Sequence, residues 1–390
     1  MNVCMIAYTV YEMDSRLLCY TKALAELGHS VEVIAVNGGN SLAAPEIERV
    51  CVYRLQNPKY TGKARLLHLY RLLTFFCRAA WLVSCNELVR HYDVIHVHSV
   101  PDPLVFCALV PKMRGSKVIL DIHDILPEFY VSKFNSNEKS LMCRFLLWVE
   151  RVCAKYADYV IVANDIWRAK LVSRSVPEDK CEAILSVPDR SIFRQNGKTR
   201  SDEKIILLYP GTLSWHQGLD IAIRGFARIR HVVPAAEFHI YGTGPEQDGL
   251  RRLVDDLGLG DRVKFNAPRT LWEIARIMEN ADLGIVPKRD DTFGSEAFST
   301  KTLEFMAVGV PVVIAATKID RYYLDESLVQ FFTPGNEQSL AEALLAVIQN
   351  VTLRKALSER ALQFVARNDW ESNKDKYLNI MSRLVNNAAL

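Results

Sequence analysis

The chain of 390 residues lacks three patterns that would have settled its chemistry quickly. There is no C-x-x-C pair, no Asp-x-Asp behind an apolar run, and no glycine in the first strand-to-helix turn, Tyr8-Thr9-Val10-Tyr11-Glu12-Met13-Asp14-Ser15-Arg16. Without C-x-x-C spacing, the nine cysteines, odd in number and all at or before Cys181, form neither a zinc site nor a disulfide framework. Several, such as Cys4 and Cys107, lie inside apolar stretches, so reduced, buried thiols are expected. The missing glycines argue against a dinucleotide-binding oxidoreductase, whose first turn needs close backbone approach to a pyrophosphate. Net charge is only +3 and no nucleic-acid motif is present, so nucleic acid is not an expected partner. No uncharged apolar run of membrane-spanning length is visible. No signal peptide is expected either, because the chain runs straight into a strand at Asn2.

Hydrophobic residues make up 49% and charged residues 24%, as in a globular protein, and the length suits two domains that each bury a core. Short apolar runs alternate with amphipathic helical stretches, which predicts parallel sheets covered on both faces, an α/β fold. The first half offers strands at Val3–Ala7, Val31–Val36, Val94–Val97, Val118–Ile122 and Tyr159–Val162. The second offers Ile205–Tyr209, Glu237–Tyr241, Arg262–Phe265, Leu283–Val286 and Val312–Ile314. A polar stretch from Arg194 to Asp202 reads as the linker, so the expected domains are 1–200 and 201–369, with a last helix at 370–390. In doubly wound sheets, ligands bind at the carboxyl ends of the strands.

The most informative segment is Ser295-Glu296-Ala297-Phe298-Ser299-Thr300-Lys301-Thr302-Leu303-Glu304. Ser299 or Thr300 is a good N-cap, and the helix should stop at Gly309 before a buried strand. Its unpaired N–H groups and positive dipole end suit a phosphate. Glu296 lies just before that anion site, and Glu304, one turn in, can accept bonds from vicinal hydroxyls. A phosphate between two hydroxyl-binding carboxylates is what a sugar nucleotide requires. The plainer alternative is a solvated helix with both glutamates facing water.

This Glu, seven residues, Glu pattern resembles the signature of retaining glycosyltransferases of family four, and the resemblance extends over nearly the whole chain. It implies the GT-B fold: two doubly wound Rossmann-like domains facing across a cleft. The first domain would read the acceptor and the second would hold the donor. It further implies that Glu296 contacts the donor hexose and Glu304 the ribose, and that the last helix packs back toward the first domain. His123, ending Leu120-Asp121-Ile122-His123-Asp124, matches the family's histidine facing the donor sugar, with Asp124 able to orient its ring. His96 and His98 share one face of a strand and could ligate a metal, but no third ligand is well spaced, so core or cleft-lining roles are favoured.

Donor contacts are expected at Gly211, Thr212, Gln217, Gly242, Ala297, Phe298, Ser299, Thr300 and Lys301. Gly242-Thr243-Gly244 alone is weak, as a plain turn would look the same. The family commonly has Arg and Lys where this chain has Thr212 and Gln217, a real departure, because charge-assisted bonds are roughly twice as strong as neutral ones. Lys301 is the natural replacement, with Lys288 and Arg289 as further candidates. The implied activity is a metal-independent hexosyltransferase. It would use a nucleoside-diphosphate sugar as substrate, without a cofactor, and a glycan or lipid-linked acceptor. Alternatives are a sugar-nucleotide epimerase, or a non-catalytic nucleotide- or glycan-binding partner of another transferase. A phosphorylase would need a cofactor lysine that is not evident.

Charge is uneven: residues 1–200 hold 26 Lys and Arg against 20 Asp and Glu, and the remainder 22 against 25. Between Arg49 and Arg78 there are seven basic residues and no acid, and residues 66–81 read as an apolar helix. A basic, aromatic helix suits an anionic membrane surface, each Lys or Arg contributing roughly 1 kcal/mol. The expected location is therefore cytoplasmic and peripheral on the inner face of a membrane, with segment 49–81 as the contact. A domain helix with solvated Arg71 and Arg78 is the alternative.

Overall fold

A computed structural model describes residues 1–38, 47–55, 65–134 and 136–386. The chain forms two compact units. The first runs from Met1 to Ser186, apart from residues 132–135, and takes up the chain again from Glu371; the second is residues 187–370 with 132–135.

The first unit is built on seven parallel strands: β1 Asn2–Val10, β2 Ser30–Val36, β3 Val50–Arg54, β4 Val94–Ser99, β5 Lys117–Ile122, β6 Tyr159–Val162 and β7 Cys181–Ala183. Their order is β3-β2-β1-β4-β5-β6-β7. The central strands are buried on both faces because helices cover both sides; β4 and residues 118–122 of β5 are wholly buried. The register sets His96 beside Ile119 and His98 beside Asp121, which decides what the two histidines meet.

The second unit has six parallel strands: β8 Ile205–Pro210, β9 Ala236–Tyr241, β10 Val263–Asn266, β11 Leu283–Val286, β12 Val312–Ala315 and β13 Gln330–Phe332, ordered β10-β9-β8-β11-β12-β13. Its core joins Phe226 and Phe238 to Leu340 and Leu344. Gly225, in mid-helix, lets Leu340 come so close that an added Cβ would lie 2.8 Å from that side chain. The order reverses between β8 and β11, so the switch-point crevice lies at their carboxyl ends.

The division at Ser186/Val187 differs from the residue-200 boundary. The polar stretch before Asp202 is held by side-chain acceptors of the second unit. Glu279 accepts from the Gly197 amide, Asn280 from those of Thr199 and Arg200, and Asp282 from Lys198. Composition suggested a linker where side-chain bonding makes an ordered border. Nor are all the cysteines buried: Cys51 and Cys77 are exposed and Cys85 is partly so.

One helix, Leu66–Val89, meets the length and composition expected of a membrane span among the described residues. Its two arginines had argued against such a run in the sequence. Phe75, Ala79 and Val83, four residues apart, are fully buried and hold one face of it to the unit. Residues 56–64 of the basic segment lie outside the described residues. The last helix, Trp370–Asn386, stacks Tyr377 on Tyr20 with ring centroids 4.1 Å apart.

Candidate active site

Three loops meet at the carboxyl ends of β8, β9 and β11, and glycine makes their approach possible. A Cβ on Gly242 would lie 1.9 Å from the Gly211 carbonyl oxygen, one on Gly244 2.2 Å from that of Leu213, and one on Gly218 2.0 Å from that of Pro287. Gly211, Gly218 and Gly242 have φ of 154°, 68° and 143°. Gly242-Thr243-Gly244 is therefore a backbone-packing turn beside the Gly211 loop.

The loop after β11 carries Glu296, Ala297 and Phe298 into the helix Thr300–Ala307. Asp291 accepts from the amides of Phe293 and Gly294, shaping its start. Its far end is held by Lys288, buried, which donates to the Ala297 carbonyl at 2.6 Å and pairs with Asp320 at 2.8 Å. Ile319 N–H donates to the Ser295 carbonyl, and Lys318 reaches Glu296 Oε1 at 2.9 Å. Phe298 packs edge-on against Tyr323. Sequence reading singled out neither Asp320 nor Lys318, because both lie beyond β12 and only the fold returns them to this loop.

Ser299 is the N-cap residue, yet its side chain makes no cap hydrogen bond. Its hydroxyl and that of Thr302 are buried and without a partner among the described residues. Such groups cost free energy unless something polar joins them. Lys301 crosses to the β8 loop: a Cβ on Gly211 would sit 2.2 Å from its Cε and 3.0 Å from its Nζ. Nζ lies 5.4 Å from the Tyr209 ring centroid. Burial lowers the Lys301 pKa, with Glu304 opposing. Burial also raises the Glu304 carboxyl to about 7, with Lys301 holding it back.

Of the other candidate cations, Lys288 is engaged with the loop. Arg289 pairs with Asp220 at 2.6 and 2.7 Å and lies over Trp215. Lys301 is therefore the candidate whose ammonium stands at the Gly211 loop. Thr212 is exposed, while Gln217 accepts from the Tyr209 hydroxyl at 3.0 Å.

In the first unit, His123 belongs to a cluster built around Asp121. Arg16 grips both carboxylate oxygens at 2.8 Å and donates to the Ile184 carbonyl at 2.6 Å. Asp121 Oδ2 stands 3.5 Å from His123 Nε2, 3.6 Å from His98 Nδ1 and 3.7 Å from His96 Nε2. Burial would lower His123, but the Asp121 carboxylate outweighs it and the pKa is raised. Burial lowers His96 and His98. Asp121 thus faces the His123 ring from within the sheet, a role the sequence had offered to Asp124. No motif announced Arg16, since its partner lies 105 residues away. His96, His98 and Asp121 are close enough together to hold a metal ion, with Asp121 as the third ligand that spacing did not suggest. Asp121's charge is already matched by Arg16, which disfavours a further cation there.

Residues 190–364 match the family Glycosyl transferases group 1, and residues 13–185 match the Glycosyl transferase 4-like domain. A D-inositol 3-phosphate glycosyltransferase of Mycobacterium marinum is 26% identical over 95% of this chain and 79% of its own. An uncharacterized glycosyltransferase of Methanocaldococcus jannaschii is 25% identical over 96% and 97%. Among solved structures, sucrose-phosphate synthase of Thermosynechococcus elongatus aligns with a TM-score of 0.79 at 17% identity, covering 98% of this chain and 99% of that one. HepE of Anabaena in complex with UDP-glucose aligns at 0.73 and 16%, covering 98% and 99%.

Proposed function

The chain belongs to the group 1 glycosyl transferases and has the GT-B fold, and from that premise we propose a retaining, metal-independent hexosyltransferase. It moves a hexose from a nucleoside-diphosphate sugar to a hydroxyl of a glycan or lipid-linked acceptor, in the synthesis of cell-surface polysaccharide. The observation that carries this reading is the helix start at Ser299. A buried hydroxyl without a partner among the described residues and a positive dipole end stand between Glu296 and Glu304, with the Lys301 ammonium alongside.

In this reading the diphosphate takes the helix end and Lys301, which restores the charge lost at Thr212 and Gln217. Glu304 accepts from the ribose hydroxyls and Glu296, fixed by Lys318, from the hexose. His123 takes the role the resemblance implies, a contact to the reacting sugar. The bond from the anomeric carbon to the diphosphate oxygen breaks as the bond to the acceptor oxygen forms. The acceptor proton passes to the departing diphosphate on the same face of the sugar. Preorganised donors at the leaving group supply most of the stabilisation. The enzyme works on the cytoplasmic side, peripheral to the inner face of the membrane through segment 49–81.

The neutral Thr212 and Gln217 keep a second reading alive, a non-catalytic partner of another transferase. A thermal-shift panel of nucleoside diphosphates and their sugars, uridine compounds first, separates the two. Ligand at 100 times its Kd stabilises by about 2.7 kcal/mol, a clear shift. One base giving a shift that Glu304→Ala abolishes supports the donor site. Silence across the panel, with and without metal, rejects it.

A further inference from the structure

The helix Leu141–Tyr156 presents an apolar face that no described residue covers. Ser140 caps its start, accepting from the Cys143 amide. Cys143, Glu150, Cys153 and Ala154 are buried and bind one side of the helix to the first unit. On the other side Leu141, Phe145 and Trp148 are 82%, 53% and 58% exposed, and Val152 extends the row. Steps of four, three and four residues put these positions in one stripe along the helix. The Phe145 and Trp148 rings stack with centroids 5.9 Å apart.

The exposed charges of the helix itself all have one sign. Arg144, Arg151 and Lys155 are exposed. The helix's single acid, Glu150, is buried and committed to Arg174 by bonds of 2.9 and 2.6 Å. An aromatic, apolar stripe on a helix whose exposed charges are all cations, with Glu138 before its start as the nearby acid in sequence, matches the boundary between acyl chains and anionic headgroups. A second copy fits poorly, because a two-fold contact would set these cations against their own copies with no exposed carboxylate on the helix to answer them.

We infer that this face of helix Leu141–Tyr156 seats the first unit on an anionic phospholipid surface, with Phe145 and Trp148 entering the interface. The inference uses residues distinct from segment 49–81 and does not depend on the donor chemistry.

The test is sedimentation of the full chain with vesicles of phosphatidylcholine, alone and mixed with phosphatidylglycerol. Binding is expected to the mixed vesicles only, and to weaken as salt rises. Phe145→Ser with Trp148→Ser should lower that binding about tenfold or more. Both sites are exposed, so melting temperature and any nucleotide-induced shift should stay as in the parent protein. That shift reports the donor site separately, so the two readings fail independently. Brominated lipid should quench tryptophan emission in the parent more than in Trp148→Phe. Equal binding by the double variant, or no binding to the anionic vesicles, overturns the inference. So does a parent dimer that the double variant turns into a monomer, since the occupant is then a second copy.

Discussion

The two units differ in how much apolar surface they expose and in how their buried charges are met. Among the described residues, 17 exposed large hydrophobic side chains belong to the first unit and five to the second. Inside, they differ in how buried charge is met. Beside His123 the first unit matches its buried charge, Arg16 and Asp121 answering each other with two 2.8 Å bonds, while His96 Nε2 and His98 Nε2 have no hydrogen-bond partner among the described residues. The second unit leaves buried hydroxyls at Ser299 and Thr302 without partners among the described residues, while burial raises the Glu304 carboxyl to about 7 and lowers the Lys301 pKa. Groups that answer one another are scaffold. Groups kept at the cost of burial point to a ligand.

The largest effect expected is on turnover. Glu296→Gln should cut kcat/KM by about a hundredfold or more if the carboxylate acts at the transition state. A change confined to KM would move it to ground-state binding.

Asp121→Asn sharpens the scaffold side, because it strands Arg16 in the core. Denaturant unfolding should show a loss of about 3–5 kcal/mol. An unchanged midpoint would mean that the cluster is not supporting the first unit.

Lys301→Ala should weaken nucleoside-diphosphate binding by roughly tenfold or more, as expected for a lost charge-assisted bond, with little change in melting temperature. Titration calorimetry measures it directly. Unchanged affinity would leave Lys301 a packing residue and favour the non-catalytic reading.

The smallest effect is one of pH. Burial raises the Glu304 carboxyl to about 7, and in the proposed role it must be ionised to accept from both ribose hydroxyls. Donor affinity should therefore fall as pH drops from about 8 to about 6, by at most about tenfold per unit below 7. Glu304→Gln should flatten the profile. A wild-type profile already flat would place the ribose elsewhere.

How much of this was legible in the sequence depended on burial and separation. Tyr159–Val162 and Leu283–Val286 are read to the residue, because a buried parallel strand is a continuous apolar run. The missed strands β3, β7 and β13 all lie at sheet edges. β3 is only partly buried, and β7 and β13 have three residues each, too short for any period to show. The helix start at Ser299 was legible from residue type, although the Ser299 hydroxyl makes no cap hydrogen bond, and its stop from Gly309, which has φ of 73°. The Lys288–Asp320 and Arg16–Asp121 pairs were not, since 32 and 105 residues separate their members.

The sequence by itself determined the α/β class, the Glu296–Glu304 spacing around a helix start and the replacement of two expected cations by Thr212 and Gln217. These are local matters of periodicity, capping and residue type. Tertiary structure alone decided that Lys301 reaches the Gly211 loop, that Asp121 serves three histidines, and that the stripe from Leu141 to Val152 faces outward. Each depends on which strands become neighbours, and apolar runs of similar composition carry no record of that order.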